Sequence, residues 1–305
     1  GNTLLIEDEA SDSTPFVIDA NGNVGIGTTD ITAKLTVQNL TKDQDSMIVK
    51  QRGSLFQKTI GGTGDDGASF IQQTSDGGYV IVGYTGSYGE GSDDIFVIKL
   101  DSSGNLSWAK TIGGANYESA SSIQQTSDGG YIMVGYTESY GAGDDIFVIK
   151  LDSSGNLSWA KTIGGANLEY GNSIQQTSDG GYIVAGGTMD YATGLESNLI
   201  IKLDSSGNLS WAKTIGGGGI SIILSSIQQT SDGGYIGVGQ GPNDDIFVIK
   251  LDSSGNLSWA KTIGGGDYED GSSIQQTSDG GYIIAGETTS YGAGDYDIFV
   301  IKLDS

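Results

Sequence analysis

The sequence predicts an all-β chain: a five-bladed β-propeller of four-stranded antiparallel blades, preceded by a small N-terminal β segment. Three observations predict it. First, TSDGGY recurs with its tyrosines at 79, 131, 182, 235 and 282, so successive units are 52, 51, 53 and 47 residues apart, a period in the range of propeller blades. Second, DSSGNLSWAKTIGG stands verbatim at 101–114, 152–165, 204–217 and 252–265, with a worn copy, SLFQKTIGG, at 54–62. Third, short apolar runs alternate with Gly-rich turns, and no segment carries a convincing helical period.

The second unit shows the elements in order. SSIQQT reads as a short alternating strand, A. SDGG is a hairpin turn, since Asp-Gly readily takes the positive φ such turns need. YIMVG is β-branched and apolar, as a strand buried on both faces should be, and DIFVIKLD is a second such strand. These are B and C. After the SSGN turn, LSWAKTIGG forms the outermost strand, D, with Trp108 and Lys110 on one side and Ala109 and Thr111 on the other. The fifth unit stops after its strand C. Its missing strand D is expected to be the worn copy at 54–62, where Phe56 holds the Trp position. That strand would pair with the last three and close the ring over residues 54–305. An open solenoid is the alternative, and it would need capping units.

The segments TSDGGYIIAGETTSYGAGDYDIFVIKLD and GNLSWAKTIGG resemble a widespread family of tandem-repeat β-propellers in secreted or surface proteins of bacteria and archaea. The resemblance covers 54–305 and implies the fold. It implies little about activity, because propellers host many functions. Residues 1–53 differ. TPFVIDANGNVGIGTTDITAKLTVQN alternates apolar and polar positions around an Asn21-Gly22 hairpin signal. Within it, NGNVGIGTT resembles stalk segments of phage tail fibres and related bacterial surface fibres, which implies self-association through residues 1–53. A β appendage packed on its own propeller, or a strand donated to a neighbouring subunit, are the alternatives. So short a segment buries little alone, so some partner for it is expected.

Composition narrows the function. The net charge is −24, which disfavours nucleic acid and anionic membrane surfaces as partners. No apolar run approaches the length of a membrane helix, so no membrane insertion is expected. The chain has neither Cys nor His, so thiolate chemistry, the Ser–His triad and the usual transition-metal ligands are absent. Any enzyme here would work with carboxylates, Tyr or Lys. A start at Gly1 without Met is what removal of a leader would leave, and an extracellular, cell-surface or virion-surface location is expected.

Variation among the copies collects in two places. The A–B turn TSDGG is identical in all five units and the C–D turn in four, whereas the B–C and D–A loops vary. Strands alternate direction, so the constant turns share one face of the propeller and the variable loops share the other. Loops on a rigid scaffold are where binding usually sits. All ten propeller lysines occupy two repeated strand positions, and twenty of the thirty propeller carboxylates lie in or beside the variable loops, which hold no Lys or Arg. The repeated Lys and Asp are expected to pair as solvated surface bridges. The loop face should be strongly negative.

That face also carries Tyr88, Tyr117, Tyr140, Tyr170, Tyr191, Tyr268 and Tyr291, candidate ligand-binding residues among Gly, Ser and Asp. Flat rings with carboxylates suit a glycan or a cell-surface protein. No acidic spacing matches a calcium loop, so neither metal nor cofactor is expected. In the fourth unit the B–C loop is clipped and the D–A loop carries Ile220, Ile222, Ile223 and Leu224, read as an assembly contact patch whose conversion to Ser weakens association without unfolding the ring.

The function expected from the sequence is therefore non-enzymatic: a propeller displayed on a surface fibre or filament, with a multivalent lectin-like adhesin as the alternative. A carboxylate-dependent glycosidase ranks last. The chain's single Arg, Arg52, lies outside the propeller, and no carboxylate stands apart as an acid beside an apolar wall.

Overall fold

The computed structural model describes residues 56–189, 196–216 and 222–305, together with the backbone of three short N-terminal strands. The chain divides into two units, 1–53 and 54–305. In the first, β1 (Leu4–Ile6), β2 (Phe16–Ile18) and β3 (Val24–Ile26) form an antiparallel sheet in the order β1-β2-β3. The stalk-like motif at 21–29 otherwise lies outside the described residues.

The second unit is built of five antiparallel sheets. The first blade holds β4 (Asp66–Gln73), β5 (Tyr79–Thr85), β6 (Asp94–Leu100) and β7 (Leu106–Ile112). The second holds β8 (Glu118–Gln125), β9 (Tyr131–Thr137), β10 (Asp145–Leu151) and β11 (Leu157–Ile163). The third holds β12 (Leu168–Gln176), β13 (Tyr182–Met189), β14 (Glu196–Leu203) and β15 (Leu209–Gly216). The fourth holds β16 (Ile223–Gln229), β17 (Tyr235–Gln240), β18 (Ile246–Leu251) and β19 (Leu257–Ile263). The fifth holds β20 (Glu269–Gln276), β21 (Tyr282–Thr288) and β22 (Asp297–Leu303). Blades pack in chain order, each on the next.

The core lies in the seams between blades rather than within any one sheet. Strands B and C alternate their side chains between two neighbours. Ile132, Val134, Ile146 and Val148 of the second blade meet Ile174, Tyr182, Val184, Ile201 and Leu203 of the third, all buried. This explains the uninterrupted apolar reading of YIMVG and DIFVIKL. Strand D adds its Trp to the seam. Trp108 meets Tyr131 of the next blade edge-on at 5.6 Å, and Trp159–Tyr182, Trp211–Tyr235 and Trp259–Tyr282 repeat the contact. The same Trp lies over the C–D turn of the next blade. A side-chain carbon on Gly155, at φ 77°, would stand 2.9 Å from the Trp108 ring. Only Gly satisfies both demands.

Two glutamines per unit stitch the seams. The Gln125 amide donates to Gln72 Oε1 at 2.6 Å, and Ser75 N donates back to Gln125 Oε1 at 2.8 Å. The pattern recurs at Gln176–Gln124, Gln229–Gln175 and Gln276–Gln228. SIQQTS is therefore constant because each copy binds both neighbours.

Two expectations are corrected. The Lys–Asp pairs are only half solvated: the aspartates stay exposed, but four of the five lysines are covered. Lys99, Lys150, Lys202 and Lys250 of strand C are buried, and each ammonium lies 2.9 Å from the A–B turn aspartate, Asp76, Asp128, Asp179 or Asp232. The ammonium also donates to a strand carbonyl, as Lys150 does to Leu151 O at 3.0 Å. The closing strand pairing is not formed either. Phe56 stacks on Tyr79 at 5.8 Å and packs with Ile60 on the first blade, in the manner of a strand D. The fifth blade nevertheless stays three-stranded. Its outward residues Ile298 and Val300 are 87% and 61% exposed, whereas their counterparts Ile95 and Val97 are fully buried. On the first blade Ile71 is 59% exposed and its counterpart Ile123 only 1%. Four seams are formed, and the halves of a fifth face solvent.

The buried ammonium makes a prediction. Asp128→Ala strands Lys150 without a counter-ion and should cost about 3 kcal/mol in urea unfolding. Adding Lys150→Met should recover much of that loss; no recovery would show that the pair is not the unit of stability. The acid limb follows from the same residues. Hydrogen bonds from the Thr230 hydroxyl and the Lys250 ammonium hold Asp232 down to about 2. A depressed carboxylate stabilises the fold above its unfolded value near 4 and loses that contribution as pH falls towards 2. Thermal melts should thus weaken between about pH 4 and pH 2, more weakly in Asp232→Asn.

Candidate functional site

The structure places the B–C and D–A loops together, as their variation suggested. The Tyr140 hydroxyl, on a B–C loop, donates to Gly113 O at 2.7 Å, on the D–A turn of the preceding blade. Tyr88 reaches Gly61 O at 2.9 Å and Tyr291 reaches Gly264 O at 3.0 Å in the same way. Their rings rest on Phe147, Phe96 and Phe299 of strand C. These three tyrosines pin one loop to the next while keeping between 44% and 49% of their surface exposed. Tyr117 is 46% exposed. Tyr268 lies edge-on to Tyr296 at 5.9 Å, a neighbour that the sequence did not single out. Tyr170 is largely covered and lies against Gly187, and burial followed by the charge of Glu196 pushes its hydroxyl up to about 12. Tyr191 lies outside the described residues.

The apolar loop of the fourth unit is corrected. Ile222 and Leu224 are 5% and 0% exposed and sit in the seam core with Ile183, Ala185 and Ile200 of the third blade. They are core and not a contact patch, because the strand that follows continues the A-strand alternation inward. Ile223 is half-buried, and Ile220 lies outside the described residues.

Below the loops the structure reveals carboxylates that sequence reasoning missed as a set. Glu118 begins strand A of the second blade and is fully buried. Its Oε2 accepts from Gly114 N at 2.6 Å, and its Oε1 accepts from the Thr137 hydroxyl at 2.8 Å and Ser139 N at 3.0 Å. Asp94, which begins strand C of the first blade, faces it across Gly113. A side-chain carbon on Gly113 would lie 1.7 Å from Asp94 Oδ1 and 2.6 Å from Glu118 Oε2. Both glycines of TIGG are thereby explained: one leaves room for the pair and the next donates to it. Burial, and then the charges of Glu118, Glu90 and Asp93, raise the Asp94 carboxyl, against a backbone bond from Glu90 N.

Above this pair lies an acidic pocket of potential centred on Tyr136, at the end of β9. Burial, then the charges of Glu138, Asp144, Asp93 and Glu118, raise its hydroxyl. Glu138 is exposed, and its carboxyl is raised by partial desolvation and by Asp144 and Glu118. A cleft of about 350 Å³ lies on the opposite face, against Asp179, Lys202, Trp211 and Tyr235. Its walls are the constant Lys–Asp and Trp–Tyr contacts. Among the described residues no group of three or more Asp and Glu is arranged to hold a metal by itself.

Comparison with known proteins agrees on the fold. A family described as a domain of unknown function (DUF5122) beta-propeller matches residues 74–106. No curated protein is similar in sequence. Among solved structures, a subtype N10 neuraminidase-like protein of A/little yellow-shouldered bat/Guatemala/060/2010 is 10% identical, with TM-score 0.47 over 78% of this chain and 81% of that one. The endo-arabinase of Bacteroides thetaiotaomicron VPI-5482 is 12% identical, with TM-score 0.45 over 76% and 92%. A putative exo-beta-1,3-galactanase of Bifidobacterium bifidum s17 is 14% identical, with TM-score 0.42 over 77% and 86%. At these values the likeness concerns the arrangement of strands, and no residue role is transferred.

The expectation of a non-enzymatic fibre or adhesin module is corrected at this point. The solved structures it is similar to include proteins named as glycoside hydrolases.

Two outcomes test this geometry. Ile222→Ser should destabilise the chain by about 3 kcal/mol in urea unfolding, as a core position does; an unchanged midpoint would return it to the surface. With divalent cations chelated, Asp94→Asn should raise the melting temperature at pH 7 and leave it nearly unchanged at pH 4. A carboxyl raised by folding penalises the fold increasingly as pH rises through its folded value, and the amide carries no charge to bury.

Proposed function

We propose that the protein is a carboxylate-dependent glycoside hydrolase that binds glycan on its variable loop face. The observation that carries this reading is the group at the first seam, where the carboxyl of exposed Glu138 is raised by partial desolvation and then by Asp144 and Glu118, and where Glu138, Asp144 and Asp93 all act on Tyr136. Glycoside hydrolysis needs one carboxyl that donates a proton and a second that activates water or attacks the sugar. Glu138 is the acid of this reading, and Asp144 or Asp93 the second carboxyl. Tyr117 and Tyr140 offer exposed ring edges for a sugar face. The lack of His and of basic residues on this face does not oppose the chemistry, which uses carboxylates alone.

An extracellular or surface setting fits a polymeric glycan substrate and a chain without Cys. No described helix is long and apolar enough to cross a membrane. Self-association through residues 1–53 would multiply the number of such faces, and sizing the particle with and without that segment tests it.

The reading is tested by release of reducing ends from a panel of neutral and acidic polysaccharides. Wild type should release them with a bell-shaped pH profile, and Glu138→Gln should lower kcat at least a hundredfold with little change in KM. Binding without turnover on every polysaccharide, or unchanged kcat in Glu138→Gln, would sink the assignment.

A further inference from the structure

The pair beneath Gly113 is repeated. A side-chain carbon on Gly164 would stand 1.9 Å from Asp145 Oδ1 and 2.6 Å from Glu169 Oε2, and one on Gly264 would stand 1.8 Å from Asp245 Oδ1 and 2.6 Å from Glu269 Oε2. The same two oxygens thus crowd the same point at three of the four formed seams. The fourth formed seam lacks both. Ser197, opposite Gly216 on β15, takes the place of the Asp, and Ile222, buried in the core, takes the place of the Glu. Both members disappear together. A Glu that served only to cap the TIGG amide would have no reason to leave with an Asp of the neighbouring blade.

The pair is also short of positive charge. Asp94 is 2% exposed and Glu118 0%, and every ion pair among the described residues joins a lysine to a turn aspartate on the opposite face. Glu118 is held by three donors, but Asp94 Oδ1 is buried and meets none. A buried anionic oxygen aimed at a second carboxylate costs several kcal/mol unless something compensates it.

We propose that the first-to-second seam binds one divalent cation of the calcium type, held between the Asp94 and Glu118 carboxylates over Gly113. Hard oxygen donors with no nitrogen or sulfur select calcium or magnesium over transition metals, and water completes the shell. The cation ties strand C of one blade to strand A of the next. It acts as a rivet at the loop end of the seam, where the glutamine stitches do not reach.

The test uses the full chain dialysed against EDTA, then titrated with calcium chloride at pH 7 by calorimetry and by thermal melting. One site per chain is expected, with a rise in melting temperature on saturation. Asp94→Asn should lose the site and the rise, and Asp267→Asn, at an exposed loop residue, neither. Absence of saturable calcium binding overturns the proposal, as does full stoichiometry in Asp94→Asn. A melting temperature raised by acid but not by calcium would show that the pair shares a proton instead.

Discussion

The structure depends on the register of each blade against the next. No blade has a core of its own; strands B and C send half of their side chains to each neighbour, and those seams hold nearly all of the buried apolar surface. Apolar packing is non-directional and would tolerate some sliding. The glutamine stitch does not. Gln125 receives its place from Gln72 and holds Ser75 in return, so a slip of one residue would leave buried amides unpaired at about 1–3 kcal/mol each. Trp108 over Gly155 sets the outer edge of the same seam.

The verbatim repeat follows from this. DSSGNLSWAKTIGG contains the turn Gly that lies under one Trp, the Trp that covers the next turn, and the glycines that cradle the carboxylate pair. Each residue faces another blade, so a change in one copy must be matched across a seam. The third-to-fourth seam shows such a matched change, with the carboxylates replaced together by Ser197 and Ile222. The loops beyond the pair meet the neighbouring loop at few points, chiefly the tyrosine pins, and there the copies diverge. Constraint and freedom therefore segregate to the two faces, and the acidic chemistry rests on a rigid floor.

The number of blades, their four strands and the division of turns and loops between two faces were legible in the sequence because hairpin chemistry and apolar runs are local signals. The tyrosines were legible as loop residues, but not as pins: the bond from Tyr140 to Gly113 joins two blades, and nothing near Tyr140 announces it. The lysines were legible as repeated partners of the aspartates and misjudged as solvated, because their burial comes from neighbouring strands.

The sequence by itself determined the repeat, the all-β character, the strong acidity of the loop face and the absence of His and Cys chemistry, since all of these are counts or short-range patterns. Only the tertiary structure decided which carboxylates face each other. Asp94 and Glu118 begin strands of different blades, and their meeting over Gly113 depends on how one sheet lies on the next. It also decided that Ile222 and Leu224 are core and that the last seam stands open, because burial belongs to the neighbour and not to the residue.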